Sequence, residues 1–425
     1  VIHHLNWVFP HHPPEGNFGI KSHQMKTSYA IAFTLLTLQA IGQDTWVQQP
    51  DLPGGIRSAS TMFSIGNSGY VFGGNYQGTA FNDLWAFDPA SDTWTQKASC
   101  PCDPRWFPVS FVLDGKGYVA TGRSPASTSG LNDLWQYDPV TDTWVQKADL
   151  PANIRWGAFG FSVAGKGYVG AGTTGSDYFE DLWEYDPMAD TWTQKANYPD
   201  GPHFAFGGSF VLNNVAYVAG GRSSGGSSAV SSEKLWAYDP GLDQWTQRAN
   251  MPGPRLNAAS FALSGRGFIV GGTTNIAGGT PQNTTLEYDP IANTWTNRAA
   301  FAGGTRTNVG GVAINGKAYV GTGLVSPTAF DDWYEYTPLG GTVGVDESST
   351  RHGIILYPNP ANDHIKICLP MGGGEIVMLD GLGRTIHRER TIDSRVVVNL
   401  DDLPAGTYQL IFDNGTFSTR KFMKF

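Results

Sequence analysis

One phrase returns six times along the chain: "DLWAFDP" ending at Pro89, "DLWQYDP" at Pro139, "DLWEYDP" at Pro187, "KLWAYDP" at Pro240, "TLEYDP" at Pro290 and "WYEYTP" at Pro338. The intervals between these prolines are 50, 48, 53, 50 and 48 residues. A sequence with one fixed period folds as a stack or ring of like units, because each unit buries its apolar face only against a neighbour. Every unit also carries a short apolar run closed by Gly-Gly or its equivalent: "GYVFGG", "GYVATG", "GYVGAG", "AYVAGG", "GFIVGG" and "AYVGTG". The runs are about strand length and are bounded by turn residues, so the unit reads as several short β-strands.

Composition agrees. The 425 residues include 54 Gly, 14 Trp and 17 Tyr, and only 15% are charged. That mix suits many short strands joined by tight turns, and suits neither a helical bundle nor a disordered chain. With the Trp that follows the first five of these Pro residues at five positions, the pattern resembles the kelch repeat over roughly residues 44–340. The resemblance implies an all-β fold: a six-bladed β-propeller with one four-stranded blade per unit. Small residues fill the first strands ("SASTMFSI", "GAFGFSVA", "NAASFALS") and bulk fills the third and fourth, as in Trp85 with Trp94 and Trp135 with Trp144. This is the taper that blades fanning from an axis require, so the tryptophans are expected as core wedges.

The chain opens its repeat region with "QDTWVQQPDLPGGIR", the end of a unit with no unit ahead of it. Trp46 stands 11 residues before Arg57, and the intervals Trp94 to Arg105, Trp144 to Arg155, Trp192 to His203 and Trp295 to Arg306 are also 11. The sixth unit offers Val343 where its Trp belongs. The N-terminal strand is therefore expected to close the last blade and remove its open edge.

The distance from the second-strand aromatic to the Tyr-Asp-Pro proline varies as 19, 21, 19, 23, 22 and 19, whereas most other spacings are constant. Length variation thus concentrates in the loops between second and third strands, and recognition is expected on the face that bears them. At the start of the first strands, on that face, stand Arg57, Arg105, Arg155, His203, Arg255 and Arg306. Trp106, Trp156 and Phe204 come directly after three of these, and Arg123 and Arg222 follow the Thr-Gly and Gly-Gly that end two second strands. The expected ligand-binding set is Arg105, Trp106, Arg123, Arg155, Trp156, His203, Phe204, Arg222 and Arg255. Guanidinium forks suit carboxylates, phosphates and sugar hydroxyls, and flat aromatic faces suit sugar rings. Each arginine equally admits a structural role, bonded to a carbonyl or an acidic residue of the next blade.

The expected function is a binding module for a glycan or protein ligand, with no cofactor, no metal and a monomeric state. The propeller region holds 17 Lys and Arg against 26 Asp and Glu, which argues against nucleic acid as a partner. Copper chemistry of the galactose oxidase type needs two His, two Tyr and a crosslinked Cys, and the repeats hold one His and the pair Cys100 and Cys102. That pair is too close in sequence for an easy bridge, and with Cys368 the count is odd, so a surface turn with a free thiol is expected. An alternative is a sialic acid epimerase of kelch type acting on an acidic sugar, with Glu180, Glu233 or His203 as base. The regular carboxylates Asp88, Asp138, Asp186 and Asp239 read as turn residues.

Both ends carry export signals. Residues 25–42, with Lys26, "YAIAFTLLTLQA" and a small-residue cut site, read as a signal peptide. Residues 1–24 precede it without an initiating Met, carry five of the nine His, and are expected to be a non-native upstream extension. The propeller is expected over 43–340 and a linker over 341–353, with no transmembrane segment in the mature protein. Residues 354–425 show alternating apolar strands and are expected as a small β-sandwich of Ig-like kind. Tyr357-Pro358-Asn359-Pro360, Gly381-Leu382-Gly383-Arg384, Leu403-Pro404-Ala405-Gly406-Thr407-Tyr408 and the closing Lys421 and Lys424 resemble the C-terminal sorting domain of the type IX secretion system. That resemblance implies a Bacteroidota protein, secreted or attached to the outer surface, whose partner at this end is the export machinery.

Overall fold

Val109–Leu113 alternates buried and half-buried residues, and Lys116–Ala120 is buried at four of its five positions. The first pattern belongs to a strand with one face against a channel, and the second to a strand covered on both faces. This pair recurs around the molecule. In the computed structural model, the described residues are 44–201, 206–223, 230–275 and 279–338, followed by 355–357, 364–368, 374–380, 384–391, 395–413 and 417–424. Among them there is no helix, and six four-stranded antiparallel sheets lie between residues 45 and 337.

Blade two is typical: Val109–Leu113, Lys116–Ala120, Leu134–Asp138 and Thr143–Lys147 pair in sequence order from the axis outward. Facing first and second strands stack an aromatic pair, Phe63 on Tyr70 at 5.3 Å, Phe111 on Tyr118 at 5.2 Å and Phe161 on Tyr168 at 5.0 Å. Each such Phe also presses on the next blade. A Cβ at Gly117 would meet the Phe63 ring at 2.5 Å, and one at Gly167 would meet Phe111 at 2.3 Å. The glycine ahead of the second-strand aromatic is thus the space that the neighbour's ring occupies.

Blade six takes Gly310–Ile314, Lys317–Gly321 and Trp333–Thr337 from the end of the repeats and Thr45–Gln49 from the beginning. Thr45 faces Thr337 and Gln49 faces Trp333, antiparallel. The N-terminal strand closes the ring, as the spacing of Trp46 requires.

The Asp-Thr-Trp phrase proves to be an inter-blade clamp. Trp144 donates its indole N–H to the Ala98 carbonyl, and the Ala98 N–H donates to Asp142. The same two-point grip on one alanine is made by Trp192 and Asp190 on Ala148, by Trp245 and Asp243 on Ala196, by Trp295 and Asn293 on Ala249, and by Trp46 and Asp44 on Ala299. Trp94 completes the circle on the Pro50 carbonyl. Asp142, Asp190 and Asp243 hold φ near +50° (53°, 53° and 52°), a region in which Asp and Asn are the commonest non-glycine residues. The Tyr-Asp-Pro aspartates do cap turns: Asp138 accepts the Val140 N–H and Asp186 the Met188 N–H.

One expectation is corrected. Cys100 and Cys102 form a disulfide, with their Cα atoms 5.1 Å apart, and both are buried at the junction of blades one and two. The turn across Pro101 brings the two Cα atoms inside the span that a disulfide bridges. The pair is neither a surface turn nor a free thiol.

After the propeller, Ile355–Tyr357, His364–Cys368 and Arg395–Asn399 form one sheet, and Gly374–Leu379, Thr385–Thr391, Gly406–Asp413 and Phe417–Lys424 form another. Ile365, Ile367, Ile376, Met378, Leu410 and Phe412 from both sheets share one core. The Tyr408 hydroxyl donates to the Pro404 carbonyl, which ties the Leu-Pro-Ala-Gly-Thr-Tyr stretch into a corner. The signal peptide, the upstream extension, the linker and the Tyr-Pro-Asn-Pro and Gly-Leu-Gly pieces lie wholly or mainly outside the described residues.

Candidate functional site: the channel mouth

Two residues past the first-strand arginine the backbone turns into the left-handed region. Ala59, Phe107, Gly157, Asn257 and Asn308 share this conformation with Phe206 of blade four, at φ of 58°, 54°, 64°, 55°, 54° and 65°. Their amides link blade to blade around the axis: Phe107 N–H to Ala59 C=O, Gly157 to Phe107, Phe206 to Gly157, Asn257 to Phe206 and Ala59 to Asn308, at 2.7–3.2 Å. This collar separates two spaces. Below it runs a channel of about 250 Å³ lined by the small residues of the first strands. Above it, on the loop-rich face, lies a cup of about 550 Å³.

Aromatic rings form the cup floor and wall. Phe107, Trp156 and Phe206 pack together with ring centroids 5.3–5.7 Å apart, and Tyr178 joins the same cluster. Arg222, Asn257, Thr273, Asn275, Thr307 and Asn308 supply polar groups. No Asp, Glu or His lines the cup among the described residues. Four polar atoms in this lining, Trp156 Nε1, Arg222 Nε, Thr307 Oγ1 and Asn308 Oδ1, are buried without a hydrogen-bond partner. Buried polar atoms are nearly always bonded, and these four in one lining are exceptions.

The nine residues expected at the site divide sharply. Arg105 and Arg155 are completely buried, and each guanidinium grips an aspartate of its own blade with two bonds: Arg105 to Asp133 at 2.6 and 2.7 Å, Arg155 to Asp181 at 2.5 and 2.9 Å. Arg57 with Asp83 and Arg306 with Asp332 repeat the arrangement. A further bond to the Thr121 or Ala171 carbonyl leaves Arg105 and Arg155 with little to offer a ligand. Of the two roles open to these arginines, the geometry gives them the structural one, with the partner in the same blade. The backbone supplies the inter-blade link: the Arg155 carbonyl accepts from Gly122 of the preceding blade.

Arg123, Trp106 and Trp156 do come together. Arg123 lies over both indoles, 5.6 Å from the Trp106 ring and 5.1 Å from Trp156, and Trp106 and Arg123 exchange backbone bonds. Arg222 lies over Tyr178 at 5.8 Å. Neither Arg123 nor Arg222 meets a carboxylate among the described residues. His203 and Phe204 lie outside the described residues, while Phe206 is the collar residue of blade four. Arg255 is 9% exposed, its guanidinium donates among the described residues to the Pro254 carbonyl and the Thr284 hydroxyl, and burial pushes it below the ordinary arginine value. Glu180 and Glu233 are not among the cup's lining residues and accept bonds from Asn197 and Asn250.

Sequence reasoning missed Phe107, Tyr178 and Phe206. Phe107 follows Trp106 directly, and its role became visible only once the collar was in place. The division of the arginines was already written in the repeat: the partner aspartate is the first letter of "DLW", replaced by Lys234 in "KLW" and by Thr284 ahead of "TLEYDP".

Comparison with known proteins agrees with this geometry. The KLHDC2/KLHL20/DRC7 Kelch-repeats domain profile matches residues 21–150, the Kelch motif profile matches 204–252, and the secretion system C-terminal sorting domain profile matches 355–424. Beta-scruin of Limulus polyphemus is 36% identical over 89 residues, 20% of this chain and 9% of its own length. Alpha-scruin of the same organism is 28% identical over 213 residues, 46% of this chain and 21% of its own. Kelch-like protein 25 of Xenopus tropicalis is 34% identical over 94 residues, 21% of this chain and 15% of its own. The chain thus spans from about a tenth to a fifth of the length of these relatives. The solved structure of YjhT, a kelch propeller, superposes with a TM-score of 0.58 at 16% identity, covering 67% of this chain and 95% of that one, a likeness of fold. The chain thus carries kelch repeats folded as a six-bladed β-propeller closed by its N-terminal strand, and a C-terminal sorting domain of the type IX secretion system that implies export.

Proposed function

We propose that the protein is a secreted or surface-attached binding module that takes a glycan into the aromatic cup on its loop-rich face. The observation that carries this reading is the set of four unpartnered buried polar atoms, Trp156 Nε1, Arg222 Nε, Thr307 Oγ1 and Asn308 Oδ1, around a cavity walled by Phe107, Trp156, Tyr178 and Phe206. At about 550 Å³ the cup falls in the range of small-ligand sites, ~300–1,000 Å³. Aromatic faces stack on sugar rings, the indole N–H and the Arg222 guanidinium donate to ring substituents, and Asn308 accepts from a hydroxyl. An acidic substituent gains most from Arg222, which meets no carboxylate among the described residues. Export through the type IX system, following cleavage of a signal peptide, brings such a module to a Bacteroidota cell surface. Proton transfer has no support at the cup, whose described lining offers no carboxylate or imidazole, so the epimerase reading is not favoured.

A second reading, a protein ligand, draws on the rim. The loops between second and third strands carry short hairpins, Asn75–Tyr76 with Thr79–Ala80 and Leu324–Val325 with Thr328–Ala329, and the second of these adds Leu324 to the cup lining. The two readings separate on a glycan array. Wild type should bind a set of acidic glycans, and Trp156→Ala and Arg222→Ala should lose it while melting within a few degrees of wild type. Absence of glycan binding by the wild type, or binding indifferent to both substitutions, defeats the glycan reading. In that case Tyr76→Ala at the rim should weaken a protein ligand where Trp156→Ala does not.

A further inference from the structure

Four of the six blades bury an arginine against an aspartate just ahead of the third strand: Arg57 with Asp83, Arg105 with Asp133, Arg155 with Asp181 and Arg306 with Asp332. Blade four closes the same place with reversed polarity, Lys234 pairing with Asp200. Blade five alone keeps the arginine and loses the acid among the described residues. Thr284 occupies the aspartate position, and its hydroxyl accepts one bond from Arg255 Nη2 at 2.9 Å. Arg255 Nη1 bonds the Pro254 carbonyl, and Nε is buried with no partner. Residues 202–205, 224–229 and 276–278, the propeller segments outside the description, contain no Asp or Glu in their sequence, so none of them supplies the missing charge.

We propose that Arg255 and Thr284 form an anion site, in which a small oxyanion such as a carboxylate completes the pair that the other blades complete internally. A buried guanidinium without a counter-charge is unfavourable, and it retains the donor geometry that carboxylates and phosphates match. Thr284 Oγ1 accepts from Arg255, which leaves its own proton to donate to the anion. Access follows from the repeat. The aspartates of the closed pairs keep 17–20% of their side-chain surface in solvent, and Thr284 is likewise half-buried, so an anion reaches the equivalent place from outside. The site is separate from the cup and does not depend on how the cup is used.

The test is thermal unfolding of the whole chain at constant ionic strength, with sodium acetate, sodium phosphate and sodium galacturonate each replacing sodium chloride. Wild type should gain about 2 °C or more in Tm in the oxyanions. Thr284→Asp, which supplies the carboxylate from within, should melt higher than wild type in chloride and lose the response; Arg255→Gln should lose the response as well. Galacturonate acting where acetate is silent would identify the anion as part of a sugar, and equal potency would identify a free ion. An identical oxyanion response in wild type, Thr284→Asp and Arg255→Gln would be a general salt effect and would overturn the proposal. So would an absence of any response in wild type.

Discussion

Blades two and five carry an arginine at the same place in the repeat, and the two residues live in different chemistry. Arg105 is locked by two bonds to Asp133, its charge balanced inside the blade. Arg255 leans on a carbonyl and a hydroxyl. The lesson is that a repeat position has no fixed role. What it does is decided by a partner nearly thirty residues away, Asp133 in one blade and Thr284 in the other. An arginine ring that looks like a binding funnel is mostly a set of internal staples, and the blade where the staple is missing is the one to probe.

The sharpest way to break the comparison is to remove what both blades share, the closed ring. Deleting residues 44–49 takes away the fourth strand of blade six and the Trp46 and Asp44 grip on Ala299. The deletion should aggregate or lose cooperative unfolding in calorimetry, and a monomeric variant with an unchanged Tm would contradict the role given to this strand. Next in size, Asp133→Ala should leave Arg105 buried and uncompensated, at a cost of about 3–5 kcal/mol. Arg255→Met removes a charge that is already unbalanced, so it should change stability far less. Equal losses in urea melts of the two variants would erase the distinction between the blades.

A smaller effect tests the clamp that the blades have in common. Trp144→Phe keeps the ring packing and loses the indole bond to Ala98, for about 1 kcal/mol. The smallest is acid sensitivity. Burial works to raise the Asp190 carboxyl, but bonds from the Tyr185 hydroxyl and the Ala148 amide, together with nearby Lys147, outweigh it and hold the group below its ordinary value. A group depressed in the folded state stabilises above its unfolded value, about 3.9, and loses that contribution as pH falls through its folded value. Blade five places Asn293 at this position with the same bonds and no titration. Asp190→Asn should therefore flatten the fall in urea midpoint between pH 5 and pH 3, measured against wild type.

Much of the architecture was legible because the repeat is a ruler. The 11-residue step from Trp46 to Arg57, shared by four of the later Trp positions, identifies the closing strand. The site was less so. The collar exists only when six blades meet, and Phe107, Phe206 and Tyr178 become neighbours through ring closure, which no local pattern encodes. The Cys100–Cys102 bridge escaped for a simpler reason: sequence separation is a poor proxy for distance where a proline turn draws the ends together.

The pairing of Thr45–Gln49 with Trp333–Thr337 also sets an order of events. The strand synthesised first is the one seated last, since its partner emerges only after about 290 further residues, and contacts that distant form slowly. Until then blade six has two exposed edges, one at each end of the unfinished ring. Once they meet, no described strand beyond Thr337 belongs to a propeller sheet, so every blade is complete in the chain before the sorting domain begins.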